Sequence, residues 1–142
     1  MNRRGVDRLK ESFEWFVPCG PALIGKVMRQ LADDHPGIRA MFPDDVSNLN
    51  RKIFDTMKQV MSRIDRFETL EKPLADLGVK CDAEGAVAAH YAIVRDELLA
   101  AMRELSGDDW SVQLDVDWTE LLDAVSGAMI AGAVQRRIRT AA

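Results

Sequence analysis

Apolar side chains recur at intervals of three and four residues along almost the whole chain, and this spacing is the strongest constraint on its fold. An α-helix places residues with that spacing on one face, whereas a half-buried strand alternates its apolar residues at every second position. The sequence therefore predicts an all-α protein.

Proline, glycine and polar residues mark the predicted helix ends. Gly20 and Pro21 begin the second helix, Pro36 begins a short third one, and Ser47 is predicted to cap the fourth. The segment SGDDW, residues 106–110, predicts the turn between the last two long helices. No repeat or linker divides the series, so we expect residues 1–142 to form a single domain.

Each predicted helix has one apolar stripe that is expected to be buried. The stripes, in chain order, are Val6, Leu9, Phe13, Phe16 and Val17; Leu23, Ile24, Val27, Met28 and Leu31; Val46, Leu49, Ile53, Met57, Val60 and Ile64; Leu70, Leu74, Leu77 and Cys81; Tyr91, Val94, Leu98, Met102 and Leu105; Leu114, Trp118, Leu121, Leu122, Val125 and Met129.

Charge and composition exclude several classes of function. The formal net charge is -4 with acids and bases well mixed, apart from a short basic cluster at Arg136, Arg137 and Arg139, so nucleic acid is not an expected partner. No apolar run approaches the ~20 residues that span a bilayer, and the N-terminus lacks the apolar core of a signal peptide. We therefore expect a cytoplasmic protein with no membrane partner.

Cys19 and Cys81 are expected as free thiols, and the two cysteines and two histidines lack the paired spacing of a zinc site.

Two stretches resemble the globin family. In HPGIRAMFP, Pro36 starts the short third helix and Phe42 follows six residues later, similar to the proline and the haem-packing phenylalanine of globins. LGVKCDAEGAVAAHYAIVRDELLAAM, residues 77–102, resembles the passage from helix F to helix G in bacterial single-domain and flavohaemoglobin-type globins. The resemblance extends from about Val6 to about Val134. It implies a globin fold with helices A, B, C, E, F, G and H and no helix D after Phe42.

The resemblance also implies a haem b pocket. It puts Met28 and Leu49 at the distal positions of helices B and E, and Ile53 one turn further along helix E. The other residues implied at the site are Phe42, Leu77, Cys81 and the helix G tyrosine, Tyr91. Cys81 falls where haem globins carry the iron-binding histidine, which makes it the candidate metal ligand. The pocket is expected at the ~300–1,000 Å³ scale of ligand sites.

Cysteine in that position changes the expected chemistry. A thiol must ionise to bind iron, its unperturbed pKa is about 8.5, and the partial negative charge at the end of helix F opposes ionisation. Ferric iron would supply a compensating charge. On the distal side, Met28 and Leu49 offer no hydrogen-bond donor for oxygen, so the pocket favours CO and NO.

Two functions of different classes remain open. The first is a haem globin that binds a diatomic gas or senses gas or redox state, with Cys81 or, less favoured, His90 as the iron ligand. The second is a haem-free globin-like module that binds an apolar ligand or a signalling partner, with Cys81 as a small core residue. No catalytic triad, phosphate loop or paired acid site appears, so catalysis is the less favoured alternative. A homodimer or a complex with a signalling partner is compatible with either function.

Overall fold

The computed structural model describes residues 2–141, in which seven α-helices and no strand are present. The helices are α1 Arg3–Phe16, α2 Pro21–Asp34, α3 Pro36–Arg39, α4 Ser47–Ser62, α5 Glu71–Ala83, α6 Ala88–Ser106 and α7 Val112–Ala141, with 3₁₀ segments at Ile64–Leu70 and Gly107–Asp109. The all-α prediction is confirmed, and residues 40–46 contain no helix. Within residues 2–141, the apolar stretches of the helices are too short to cross a bilayer.

The start of α4 differs in detail from the prediction. Ser47 is the first residue of the helix and does not act as its cap. The carboxylate of Asp45 instead accepts hydrogen bonds from the Ser47 backbone N–H at 3.0 Å and from the Ser47 hydroxyl at 2.7 Å. These two bonds stabilise the ionised carboxylate and lower the pKa of Asp45. The prediction was wrong because Val46 is the N-cap residue, so Ser47 already lies inside the helix.

The fully buried core lies where α1, α2, α4 and α6 meet the first half of α7. Every residue of the predicted α2 stripe is buried. Trp118 of α7 is 1% exposed, and its indole Nε1–H donates to the Ser12 hydroxyl at 2.9 Å. The rings of Phe13 and Phe54 stack with centroids 5.6 Å apart. Aromatic contacts of this kind join helices that are distant in sequence into one core.

Two residues of the predicted stripes are exposed. Val17 is 40% exposed and Leu105 is 50% exposed. Val17 follows the last residue of α1, and Leu105 lies in the last turn of α6. Both predictions were wrong because the chain turns away from the core at these helix ends.

Helix α5 packs most closely on α7. A Cβ atom added to Gly78 would lie 1.9 Å from the Met129 carbonyl oxygen, and one added to Gly132 would lie 2.4 Å from the Ala75 carbonyl oxygen. The two backbones are therefore in direct contact at both points. By contrast, α4 and α5 are not among the closely packed helix pairs of residues 2–141.

Candidate functional site

Helix α4 carries two apolar stripes, and only one of them is fully buried. Phe54, Val60 and Met61 are buried in the core. Leu49 and Ile53, four residues apart, are only half-buried, although both pack against core residues, and Met57 continues the same stripe. The core therefore leaves an apolar face of α4 partly uncovered, and two predicted site residues lie on it.

Helix α5 repeats this arrangement. Leu74 and Gly78 are buried, while Leu77 and Cys81 are half-buried. Gly78 contacts α7, so Leu77 and Cys81 lie to one side of the α5–α7 contact. The prediction that Cys81 faces inward agrees with its partial burial.

A cavity of about 210 Å³ lies between α4 and α5. It is lined by Thr56, Gln59, Val60, Leu70, Pro73, Leu74 and Leu77. It shares only Leu77 with the predicted haem pocket. The volume is below the ~300–1,000 Å³ that is typical of small-molecule sites.

Cys81 and Tyr91 are brought together across the turn between α5 and α6. Burial raises the pKa of Cys81, as does the charge of Glu84, while a hydrogen bond with the Tyr91 side chain and the charge of Lys80 lower it. Burial also raises the pKa of Tyr91 to about 12, with the Cys81 sulfur as the next cause. Both groups are therefore protonated at pH 7, and the thiolate that would bind iron has one hydrogen-bond donor and one nearby cation in its favour.

Two further predicted residues lie at different depths. Met28 is 5% exposed and belongs to the buried core of α2. Phe42 follows α3 and is half-buried against the core. Met28 is thus deeply placed for a residue expected to contact a ligand, while Phe42 has the partial exposure of Leu49 and Ile53.

His90 has a structural role at the start of α6. Its Nδ1 accepts a hydrogen bond from the Val87 backbone N–H at 3.2 Å, which satisfies a donor at the helix N-terminus. Because Nδ1 is already engaged, only Nε2 of His90 is available to another partner.

A polar group beside Leu49 was missed by sequence reasoning. The Oδ1 atom of Asn50 is buried without a hydrogen-bond partner among residues 2–141. A Cβ on Gly25 would lie 3.5 Å from Asn50 Nδ2, so the amide stands where α2 and α4 come close. The signal in the sequence was a polar residue within an apolar helix face, next to a candidate distal residue.

Comparisons with known proteins agree with this architecture. The model of the Globin family matches residues 25–129. Leghemoglobin-1 of Lupinus luteus is 34% identical over 135 residues, which covers 85% of this chain and 88% of that protein.

Solved structures give the same result for the fold. An engineered carbene transferase from Rhodothermus marinus superposes with a TM-score of 0.88 at 19% identity, covering 100% of this chain and 99% of that one. A bacterial globin from Campylobacter jejuni superposes with a TM-score of 0.83 at 14% identity, covering 96% and 99% of the two chains. At these identities the structures establish the fold, and the family model together with the leghemoglobin establishes the family. The chain belongs to the globin family.

Proposed function

We propose that this protein is a cytoplasmic, single-domain globin, residues 1–142, that binds haem b and a diatomic gas and responds to that gas or to redox state. The observation that carries the proposal is the pair of half-buried apolar faces, Leu49 and Ile53 on α4 and Leu77 and Cys81 on α5. Helices α4 and α5 are not closely packed on each other, so these faces remain available to a ligand. Family membership supports haem as that ligand.

The side chains present fit a haem group in their chemistry. A porphyrin needs apolar side chains on its faces and a donor atom for its iron, and the half-buried residues of α4 and α5 supply the first while the Cys81 sulfur supplies the second. The cavity of about 210 Å³ between α4 and α5 is smaller than a porphyrin requires. Haem uptake would therefore require α4 to move away from α5, because α5 is already in direct backbone contact with α7.

On the α5 side, the Cys81 sulfur would bind the iron, and the Tyr91 hydroxyl would stabilise that sulfur in its ionised form. The thiol must lose its proton, and burial and Glu84 oppose that loss. The Tyr91 hydroxyl donates its hydrogen bond more strongly to a thiolate than to a thiol, and Lys80 adds a favourable charge. If haem is bound, its iron would supply the gas-binding site and a positive charge that offsets the remaining cost of ionising Cys81.

On the α4 side, Leu49 and Ile53 would shape the space for the gas. Neither side chain has a hydrogen-bond donor, and neither does Met28. Oxygen gains more from a donor than CO or NO does, so we expect this site to favour CO and NO over oxygen. That preference supports gas sensing over oxygen storage.

Haem titration of three proteins tests the proposal. Wild type, Cys81→Ala and Cys81→His are titrated with ferric haem and followed by absorbance before and after reduction. We expect a sulfur-ligated ferric spectrum for wild type, weaker retention of haem for Cys81→Ala, and tighter retention with an imidazole-type spectrum for Cys81→His. Identical weak spectra for wild type and Cys81→Ala would exclude Cys81 as the ligand.

A second candidate function is a haem-free globin-like module that binds a small apolar molecule. The volume of about 210 Å³ favours it, because that space suits a small molecule without any movement of α4 or α5. The raised pKa of Cys81 also suits a neutral buried thiol. Saturable binding of an apolar fluorescent probe, undisturbed by added haem, would support this function over the first.

A further inference from the structure

A charged groove lies between α5 and the end of α7. Its volume is about 640 Å³, and it is lined by Lys72, Ala75, Asp76 and Val79 of α5 and by Gly132, Gln135, Arg136 and Arg139 of α7. Its small residues Ala75 and Gly132 lie where the two backbones touch. The groove is therefore bounded by the rigid contact between α5 and α7.

The groove and the proposed haem site use different faces of α5. At 3.6 residues per turn, Lys72, Asp76 and Val79 lie on one side of α5, and Leu74, Leu77 and Cys81 lie on the other. The groove is therefore not an extension of the cavity between α4 and α5.

The guanidinium groups of Arg136 and Arg139 are the main charges of the groove. Neither makes a side-chain hydrogen bond or an ion pair within residues 2–141. Being three residues apart, the two side chains neighbour each other on α7. The next arginine, Arg137, is by contrast paired with Asp82 of α5. Two adjacent cations without anionic partners form a favourable place for an external anion.

The remaining charges leave the groove positive. Lys72 adds a third cation, and its Nζ lies 3.4 Å from a carboxylate oxygen of Asp76. Three cations against one carboxylate give a formal charge of +2 in a chain whose formal net charge is -4. A chain with a negative net charge repels anions on the whole. The positive charge of this groove therefore favours binding of an anion at this place on the surface.

We propose that this groove binds the phosphate group of a soluble small molecule. A phosphate ester carries about -1.5 to -2 charges at pH 7, which matches the groove, and its oxygens suit the planar fork of an arginine. The volume lies within the ~300–1,000 Å³ range of small-molecule sites. Gln135 adds a side-chain amide donor to the same wall.

Titration of inorganic pyrophosphate into the full chain at fixed ionic strength, followed by calorimetry, tests the proposal. We expect saturable binding to wild type and a loss of affinity of about tenfold or more in Arg136→Gln/Arg139→Gln, because each lost guanidinium removes charge-assisted hydrogen bonds. Arg137→Gln is the matched control, since it removes one of the same charges from the same helix but does not line the groove. We expect its affinity to change less than about twofold.

Three results would overturn the proposal. They are absence of binding to wild type, equal affinity in wild type and the double variant, and an equal loss in Arg137→Gln and the double variant. Both groove arginines are exposed, so the double variant should keep its helical circular dichroism and its unfolding midpoint.

Lipid headgroups carry the same phosphate chemistry and need a separate measurement. Vesicles of phosphatidylcholine with and without phosphatidylglycerol are mixed with the protein and sedimented. A soluble ligand predicts that the protein stays in the supernatant in both cases. Sedimentation with the anionic vesicles combined with no pyrophosphate binding would contradict a soluble ligand.

Discussion

The Tyr91 side chain, in the first turn of α6, lies beside the Cys81 sulfur, in the last turn of α5. Burial raises the pKa of both groups, that of Tyr91 to about 12, while hydrogen bonding by the Tyr91 hydroxyl acts against burial at Cys81 and lowers the pKa of the thiol. The ionisation of each group therefore depends on the other, and a change at Tyr91 is expected to be measurable at Cys81.

Tyr91→Phe should slow alkylation of Cys81. Loss of the hydroxyl removes a donor that stabilises the thiolate, so the pKa of Cys81 rises further and less of the nucleophile is present. The measurement is the rate of reaction with iodoacetamide between pH 7 and 10 in a Cys19→Ser background. In both proteins the rate should still be increasing at pH 9.0, because the pKa of the Cys81 thiol is raised. Equal rates in denaturant provide the control, and equal or faster rates in the folded Tyr91→Phe protein would contradict the hydrogen bond.

Ferric haem affinity should increase with pH if Cys81 is the ligand. Burial raises the pKa of the thiol, so at neutral pH one proton must leave when the sulfur binds iron. One released proton corresponds to at most about a tenfold gain in affinity per pH unit, up to the pKa of the thiol. Haem titrations at pH 6, 7 and 8 measure the slope, and Cys81→Ala should show a flat profile. A wild-type profile as flat as that of Cys81→Ala would argue for another ligand.

Leu49→Gln should strengthen oxygen binding in the haem-loaded protein. The glutamine amide gives the apolar face of α4 a hydrogen-bond donor, and a hydrogen bond of about 1.4 kcal/mol corresponds to about tenfold slower oxygen dissociation. Stopped-flow dissociation rates for oxygen and CO are compared, with Leu49→Met as a control that keeps a similar volume and adds no donor. If oxygen and CO slow equally, the site near Leu49 does not act through hydrogen bonding.

Ser12→Ala should destabilise the fold by about 1–3 kcal/mol, because it leaves the buried indole N–H of Trp118 without an acceptor. Ser12 also donates to the Leu9 carbonyl. Ser62 donates in the same way to the Gln59 carbonyl but is exposed, so Ser62→Ala is the control for that second bond. Urea unfolding followed by tryptophan fluorescence gives both free energies of unfolding. Equal values for the two variants would mean that the bond from Trp118 contributes nothing.

Gly78→Ala should destabilise the protein by about 3 kcal/mol or more, since the new methyl group would overlap the backbone of Met129. Gly127 on α7 has no atom within 4 Å of an added Cβ, so Gly127→Ala should stabilise by about 0.5–1 kcal/mol through helix propensity. Thermal unfolding distinguishes the two substitutions. Similar unfolding midpoints would show that α5 moves away from α7 at little cost.

Helix positions were predictable from the sequence because they depend on local signals. Pro21 and Pro36 begin α2 and α3 as expected, and the α2 stripe is buried in full. Each of these features depends on residues within a few positions of one another, so no knowledge of distant packing is needed.

The buried side of α4 was only partly predictable: Val60 and Ile64 of the predicted stripe are buried, but its other members are half-buried. Leu49, Ile53 and Met57 form one stripe with helical spacing, while Phe54 and Met61 form another one residue further on. Both stripes are apolar. The stripe with Phe54 is the one that another helix covers, because Phe13 of α1 stacks on Phe54. Periodicity identifies the apolar faces but does not say which face another helix will cover.

The sequence anticipated that two of the predicted site residues lie close together. Family resemblance placed Cys81 and Tyr91 at positions that the fold brings together. The small volume between α4 and α5 depends on how the helices pack against each other, which a linear pattern does not encode.

The backbone contacts at Gly78 and Gly132 prevent α5 from moving closer to α7. Neither residue has a side chain that could compress, so α5 cannot travel toward α7. Any displacement of Cys81 on ligand binding must then proceed away from α7 or by rotation about the helix axis. The contact with α7 thus restricts α5 in one direction only: α5 can shift toward α4, whereas a force toward α7 is transmitted directly to the longest helix of residues 2–141.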